Sequence, residues 1–142
     1  MLKGLPLRAW SFALLYAAYS VHATDVIVNE SVSAQQLKRS DVREIFSANR
    51  QYWADGEKIS VYVLAPNSAA HKRFCREILQ MFPYQLERLW NQITYSGQGE
   101  PPIIVNSEQQ LIELVSTTPG AIGYVNDSTT KIPDSSKRIS AL

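Results

Sequence analysis

Residues 107–125, SEQQLIELVSTTPGAIGYV, decide the fold, because they read as a complete helix, turn and strand. Ser107 is placed to cap a helix and Gln110 to reach back to it, the spacing of a capping box. Leu111, Ile112, Leu114 and Val115 recur at helical period and make one apolar face, which must lie on something flat. Pro119 cannot continue the helix and Gly120 accepts the positive φ of a tight turn, so residues 118–120 end it. Residues 121–125, AIGYV, follow as a strand. Gly123 inside that strand weakens it and implies a close backbone approach, by a packed helix or by a ligand, packing being the more ordinary cause.

Outward from this unit, short apolar runs alternate with helical patterns. Residues 25–29 (DVIVN) read as the first strand of a sheet. Residues 37–46 read as a short helix with Ser40 as cap, Asp41 at the positive end of the dipole, and Val42, Ile45 and Phe46 as its stripe. Residues 49–56 form a loop ending in an Asp-Gly turn, in which Tyr52 and Trp53 either close the edge of the core or offer a binding surface. Residues 59–64 (ISVYVL) are the most strand-like run of the chain. A turn at 65–68 leads into a helix from Ser68 to about Met81, whose inner face carries Phe74, Cys75, Ile78 and Leu79. Pro83 opens a further helix with Leu86, Leu89, Trp90 and Ile93 on one side. A breaker-rich loop at 96–102 precedes a strand at 103–105, and 137–142 follow a polar loop as a last, edge strand. Such alternation indicates an α/β domain with a short mixed sheet covered by helices on both faces.

Composition narrows the role. Residues 1–23 have a basic start at Lys3 and Arg8, an apolar run at 9–19, and the small-residue spacing Val21-His22-Ala23 of a cleavage site. They read as an export signal rather than a membrane anchor, since the apolar run is shorter than the roughly 20 residues a span needs. The expected organisation is thus a signal at 1–23 and one domain at 24–142, periplasmic or secreted, with no membrane span after signal removal. The whole chain has 14 basic and 13 acidic residues. Losing Lys3 and Arg8 leaves it near charge −1, without the basic field that nucleic acid requires. Cys75 has no partner for a disulfide and reads as a small buried core residue, and the lack of a disulfide framework suits a bacterial periplasm.

Catalytic templates are nearly empty. The two histidines are His22, inside the signal, and His71, which excludes a site of several histidines. His71 stands on the first turn of its helix among Ala69, Ala70, Lys72 and Arg73 and is expected to face solvent. No G-x-S-x-G elbow, P-loop or dinucleotide glycine pattern occurs. No enzyme, metal or cofactor is expected. What remains is the start of the helix at Ser68, where free N–H groups and the dipole favour an anion.

The order of the segments 40–46 (SDVREIF), 53–56 (WADG), Phe74, Trp90, 96–99 (SGQG) and 119–125 (PGAIGYV) resembles the phosphate-binding protein of bacterial phosphate ABC transporters, of the type II periplasmic binding-protein class. The resemblance runs over nearly all of 24–142 and implies one lobe of a fold that normally closes two lobes on its ligand. It also implies a phosphate site made by an arginine and a Ser-Gly-Thr helix start. Here Ser68 matches the serine, Ala69 and Ala70 stand for glycine and threonine, and Leu64 stands for the arginine. Two expectations follow. One is an exported lobe that binds phosphate or another small anion weakly at Ser68, Ala69 and Ala70, linked to phosphate transport. The other is a ligand-free interaction or scaffold module of an envelope assembly, with a protein partner or a second copy supplying the missing wall. The absent arginine and threonine favour the latter.

Overall fold

A computed structural model describes Gly4 and residues 23–142. The predicted export signal, apart from Gly4 and Ala23, lies outside the described residues. In chain order the elements are β1 (Asp25–Asn29), β2 (Gln36–Leu37), α1 (Arg39–Phe46), β3 (Ser60–Leu64), α2 (Ala69–Phe74) continued by a π turn (Cys75–Leu79), α3 (Pro83–Ser96), β4 (Ile103–Val105), α4 (Glu108–Thr117), β5 (Ala121–Val125) and β6 (Ser136–Ala141). They build one mixed sheet in the order β2-β6-β1-β5-β3-β4. Strands β3, β4 and β5 run parallel, and β1 runs antiparallel to both β5 and β6.

Strand β5 is buried at every position because helices cover it from both sides. On one face α4 lies across Gly123, where a Cβ would come within 2.6 Å of Leu111 Cδ2 and 3.0 Å of Val115 Cγ2. The approach expected at Gly123 is therefore that of the packed helix preceding it. On the other face Tyr124 stacks on Phe74 with ring centroids 3.9 Å apart, and Phe46 meets Phe74 edge-on at 4.7 Å. That face thus belongs to α1 and α2.

The turns that shape this core have identifiable chemistry. Gly120 takes φ +74°, and a Cβ there would collide with the Lys58 carbonyl oxygen. Its carbonyl accepts Trp53 Nε1–H at 2.9 Å, which fixes the W-A-D-G loop on the end of α4. Trp53 is buried and Tyr52 is 59% exposed, so the pair divides between core and surface. Buried Asn29 donates through Nδ2 to the carbonyls of Val115 and Ser116, at 2.9 and 3.1 Å, and so ends α4 against β1. Arg39 and Arg43 of α1 donate to the Glu77 and Leu79 carbonyls of the π turn at 3.2 and 3.1 Å.

Several boundaries differ from expectation. Helix α1 is capped at Lys38, whose N–H donates to the Asp41 carboxylate at 3.1 Å, and Ser40 lies inside the helix. Leu37 belongs to β2 instead. The helix from Ser68 widens to a π turn and stops at Gln80, which is left-handed at φ 53°. The last strand is internal: β6 sits between β2 and β1.

Candidate functional site

The site expected from sequence lies at the carboxyl edge of the three parallel strands, where open α/β sheets offer a crevice. Strand β3 ends at Leu64, and a turn at 65–68 reverses the chain into α2. Ser68 builds that turn. Its backbone is extended (φ −72°, ψ 145°), its N–H and its hydroxyl both donate to the Ala65 carbonyl, at 2.9 and 2.7 Å, and its Oγ accepts the His71 N–H at 3.2 Å. Ser68 is an N-cap whose hydroxyl is occupied within the chain. Ala69 is exposed and Ala70 is half-buried, and their N–H groups are the first of the helix.

Leu64 is buried and gives its N–H to the Tyr124 hydroxyl at 2.9 Å. It contributes packing where the resemblance calls for a guanidinium. The same sheet edge carries Glu108, whose carboxylate accepts the Asn126 N–H at 3.2 Å. A negative charge thus stands at the end of β5, which opposes an anion. The two clefts at the far end of this helix are not lined by Ser68, Ala69 or Ala70.

His71 corrects the sequence reading. It is fully buried, not solvent-facing. Its Nδ1 lies 2.8 Å from the Tyr124 hydroxyl and its Nε2 lies 3.3 Å from Cys75 Sγ. The Leu64 N–H already donates to the Tyr124 oxygen, so one consistent arrangement has Tyr124 O–H donating to Nδ1 and Nε2–H donating to sulfur. The signal was present in the sequence: His71 stands three residues before Phe74 and four before Cys75, one turn back along the same apolar stripe. Small and charged neighbours, Ala69, Ala70, Lys72 and Arg73, had suggested an exposed turn, yet the stripe wins because β3 and β5 lie beneath it.

The chemistry of this cluster is that of a structural network. Burial lowers the His71 pKa to about 4. Burial, with a smaller contribution from Glu87, raises Cys75 to about 12, and burial raises Tyr124 as well. All three groups are neutral at neutral pH and none faces solvent. Cys75 is the buried core residue expected. Among the described residues no group of three or more histidine, cysteine or acidic side chains is placed to hold a metal ion.

The architecture is that of one lobe of a periplasmic phosphate-binding protein, an α/β unit with a six-stranded mixed sheet. Its resemblance is to solved structures. A putative phosphate ABC transporter substrate-binding protein with bound phosphate from Clostridium perfringens superposes with a TM-score of 0.63 at 17% identity, over 84% of this chain and 44% of that one. An ABC-type phosphate transport receptor from Vibrio cholerae gives 0.60 at 16% identity, over 82% and 45%. PstS from Borrelia burgdorferi gives 0.52 at 21% identity, over 72% and 40%. The chain therefore spans less than half the length of each. No family profile and no curated protein matches it by sequence. Among the described residues no helix is long and apolar enough to cross a membrane.

Proposed function

We propose that this chain is an exported, non-enzymatic lobe of the binding-protein type whose role is association with another protein, anion binding being reduced to a remnant at the Ser68 turn. The observation that carries this reading is the state of Ser68, whose hydroxyl both donates and accepts inside the chain. A phosphate there would meet the N–H groups of Ala69 and Ala70 and no guanidinium from position 64. Hydrogen bonds to charged groups contribute roughly 1.5–3 kcal/mol each, so two backbone donors in solvent support binding of about −4 kcal/mol, or about millimolar.

A second reading, weak small-anion binding in the service of phosphate transport, is favoured by one feature. Those two N–H groups sit at the carboxyl edge of the parallel strands, in a lobe that resembles a phosphate-bound substrate-binding protein.

Thermal unfolding of the purified protein, dialysed free of phosphate, separates the two. Phosphate, sulfate and an ionic-strength-matched chloride control are compared. A ligand at 100 times its dissociation constant adds about 2.7 kcal/mol. The expected result, at about 10 mM of each anion, is no rise that phosphate gives and sulfate does not. Ser68→Ala is expected to cost about 1 kcal/mol of stability equally in all three buffers, because the hydroxyl is a cap. A phosphate-specific rise that Ser68→Ala abolishes would overturn the association reading in favour of the second.

A further inference from the structure

At the end of the α2–π helix remote from Ser68, two concavities of about 630 and 550 Å³ share Gln80, Met81 and Gln85 and form one bent groove. Arg43 and Arg88 line the first, Lys72 and Arg76 the second, and no carboxylate lines either. Among the described residues Lys72, Arg76 and Arg88 have no counter-charge and no hydrogen-bond partner. Four cations converge here in a domain whose net charge near −1 gives no general reason for it. At the rim Phe82 and Tyr84 are 64% and 57% exposed, their rings stacked at 5.7 Å and 12°. Gln80 adds a further sign. A left-handed helix end costs glycine least, yet a glutamine stands there, presenting an amide to both concavities.

We propose that this groove docks an acidic segment of a protein partner, anchored by apolar side chains; the proposal rests on the association reading above and names its surface. Unpaired cations around an apolar floor of Met81 and Leu89 call for carboxylates around an apolar anchor. The stacked aromatic pair supplies the rigid, low-entropy contact area on which interfaces concentrate their affinity. The amides of Gln80, Asn91 and Gln92 match the N–H and C=O groups of a peptide backbone. A flat anionic membrane surface fits worse, because the cations surround a hollow rather than stand on a convex face.

The test is selection of a displayed random peptide library of about twelve residues on the full protein, followed by anisotropy titration of the most enriched peptide at about 150 mM salt. Enriched peptides are expected to carry an excess of Asp and Glu around aromatic or aliphatic residues. Arg76→Glu with Arg88→Glu is expected to weaken binding about tenfold or more. Gln80→Gly is expected to weaken binding several-fold while raising the unfolding midpoint, a pairing that mere damage to the fold does not produce. No enrichment, enrichment without acidic excess, or peptides indifferent to the charge reversal would overturn the groove assignment. So would stronger capture by phosphatidylglycerol vesicles, or self-association in sedimentation that the same double variant abolishes. Because the phosphate titration is independent, a silent phosphate response with failed selection removes this groove and leaves the association reading standing.

Discussion

At the scale of single residues, the buried His71 makes the fold sensitive to acid. Its ordinary pKa of 6.5 is lowered to about 4 in the folded chain. Between those values the unfolded state binds more protons, so the stability conferred by the neutral imidazole is complete above about pH 6.5 and declines as pH falls toward 4. From pH 7 to about pH 4.5 the loss assigned to this one group is about 2–3 kcal/mol. Urea unfolding at the two pH values should show this loss in the native protein, and a much smaller pH dependence in His71→Gln, whatever the variant's absolute stability. An equal acid loss in both proteins would mean that carboxylates, not His71, set the acid limit. Cys75, raised to about 12 from 9.0, acts in the opposite direction, giving up stability as pH rises through the alkaline range. The sequence disclosed the position of His71 but not its environment. Its neighbours in sequence are small or charged, while the thiol and hydroxyl that satisfy the ring come, respectively, from one helical turn away and from a strand more than fifty residues later.

At the scale of elements, the unit α4-turn-β5 was legible almost to the residue, since its signals are local: a Ser107 cap that accepts the Gln110 N–H at 3.1 Å, a Pro-Gly stop and an apolar run. Even there the return bond differs, because the Gln110 side chain accepts from Asn106 N–H rather than from Ser107. The cap of α1 was misplaced because Lys38 gives no side-chain cap signal, and the π turn was missed because nothing local announces it. What the sequence could also say was that Gly123 marks an approach. Adding a methyl there drives it against Leu111 and Val115, and overpacking of this kind typically costs about 1–3 kcal/mol. Gly123→Ala should therefore lower the unfolding free energy, read from urea titration, by that amount. Paired with Leu111→Ala, which opens the space, the double variant should lose less than the sum of the two single losses. Strict additivity would show that α4 does not rest on Gly123 and that the glycine serves some other constraint.

At the scale of the whole molecule, the sheet closes only when its last strand arrives. Residues 137–142 had the look of an edge strand, six residues after a polar loop, and nothing in their own composition distinguishes an edge from an interior position. Position is set by the partners. Strand β6 pairs antiparallel with β1 from Val26 to Asn29 and parallel with β2 at Gln36 and Leu37. Its contacts join residues over a hundred positions apart, such as Arg138 Nε with Asp25 Oδ2 at 3.0 Å. That ion pair is partly exposed and contributes at most about 1 kcal/mol, so Arg138→Ala should barely move the thermal midpoint. Ending the chain at Asp134 is a different matter. It strips β1 of a ladder and leaves Val26, Ile27 and Val28, all buried, beside an unpaired edge of the kind that recruits other chains. The truncated protein should lack a cooperative urea transition and should aggregate, while Arg138→Ala unfolds in a single step with an unchanged denaturant slope. Were the truncated chain to unfold cooperatively with a slope near that of the full protein, β6 would be peripheral and β1 stable as an edge. The domain would then be a four-stranded core, β1-β5-β3-β4, with β6 and β2 appended. The internal place of β6 argues the reverse, because no part of the sheet on the β2 side of β1 exists without it.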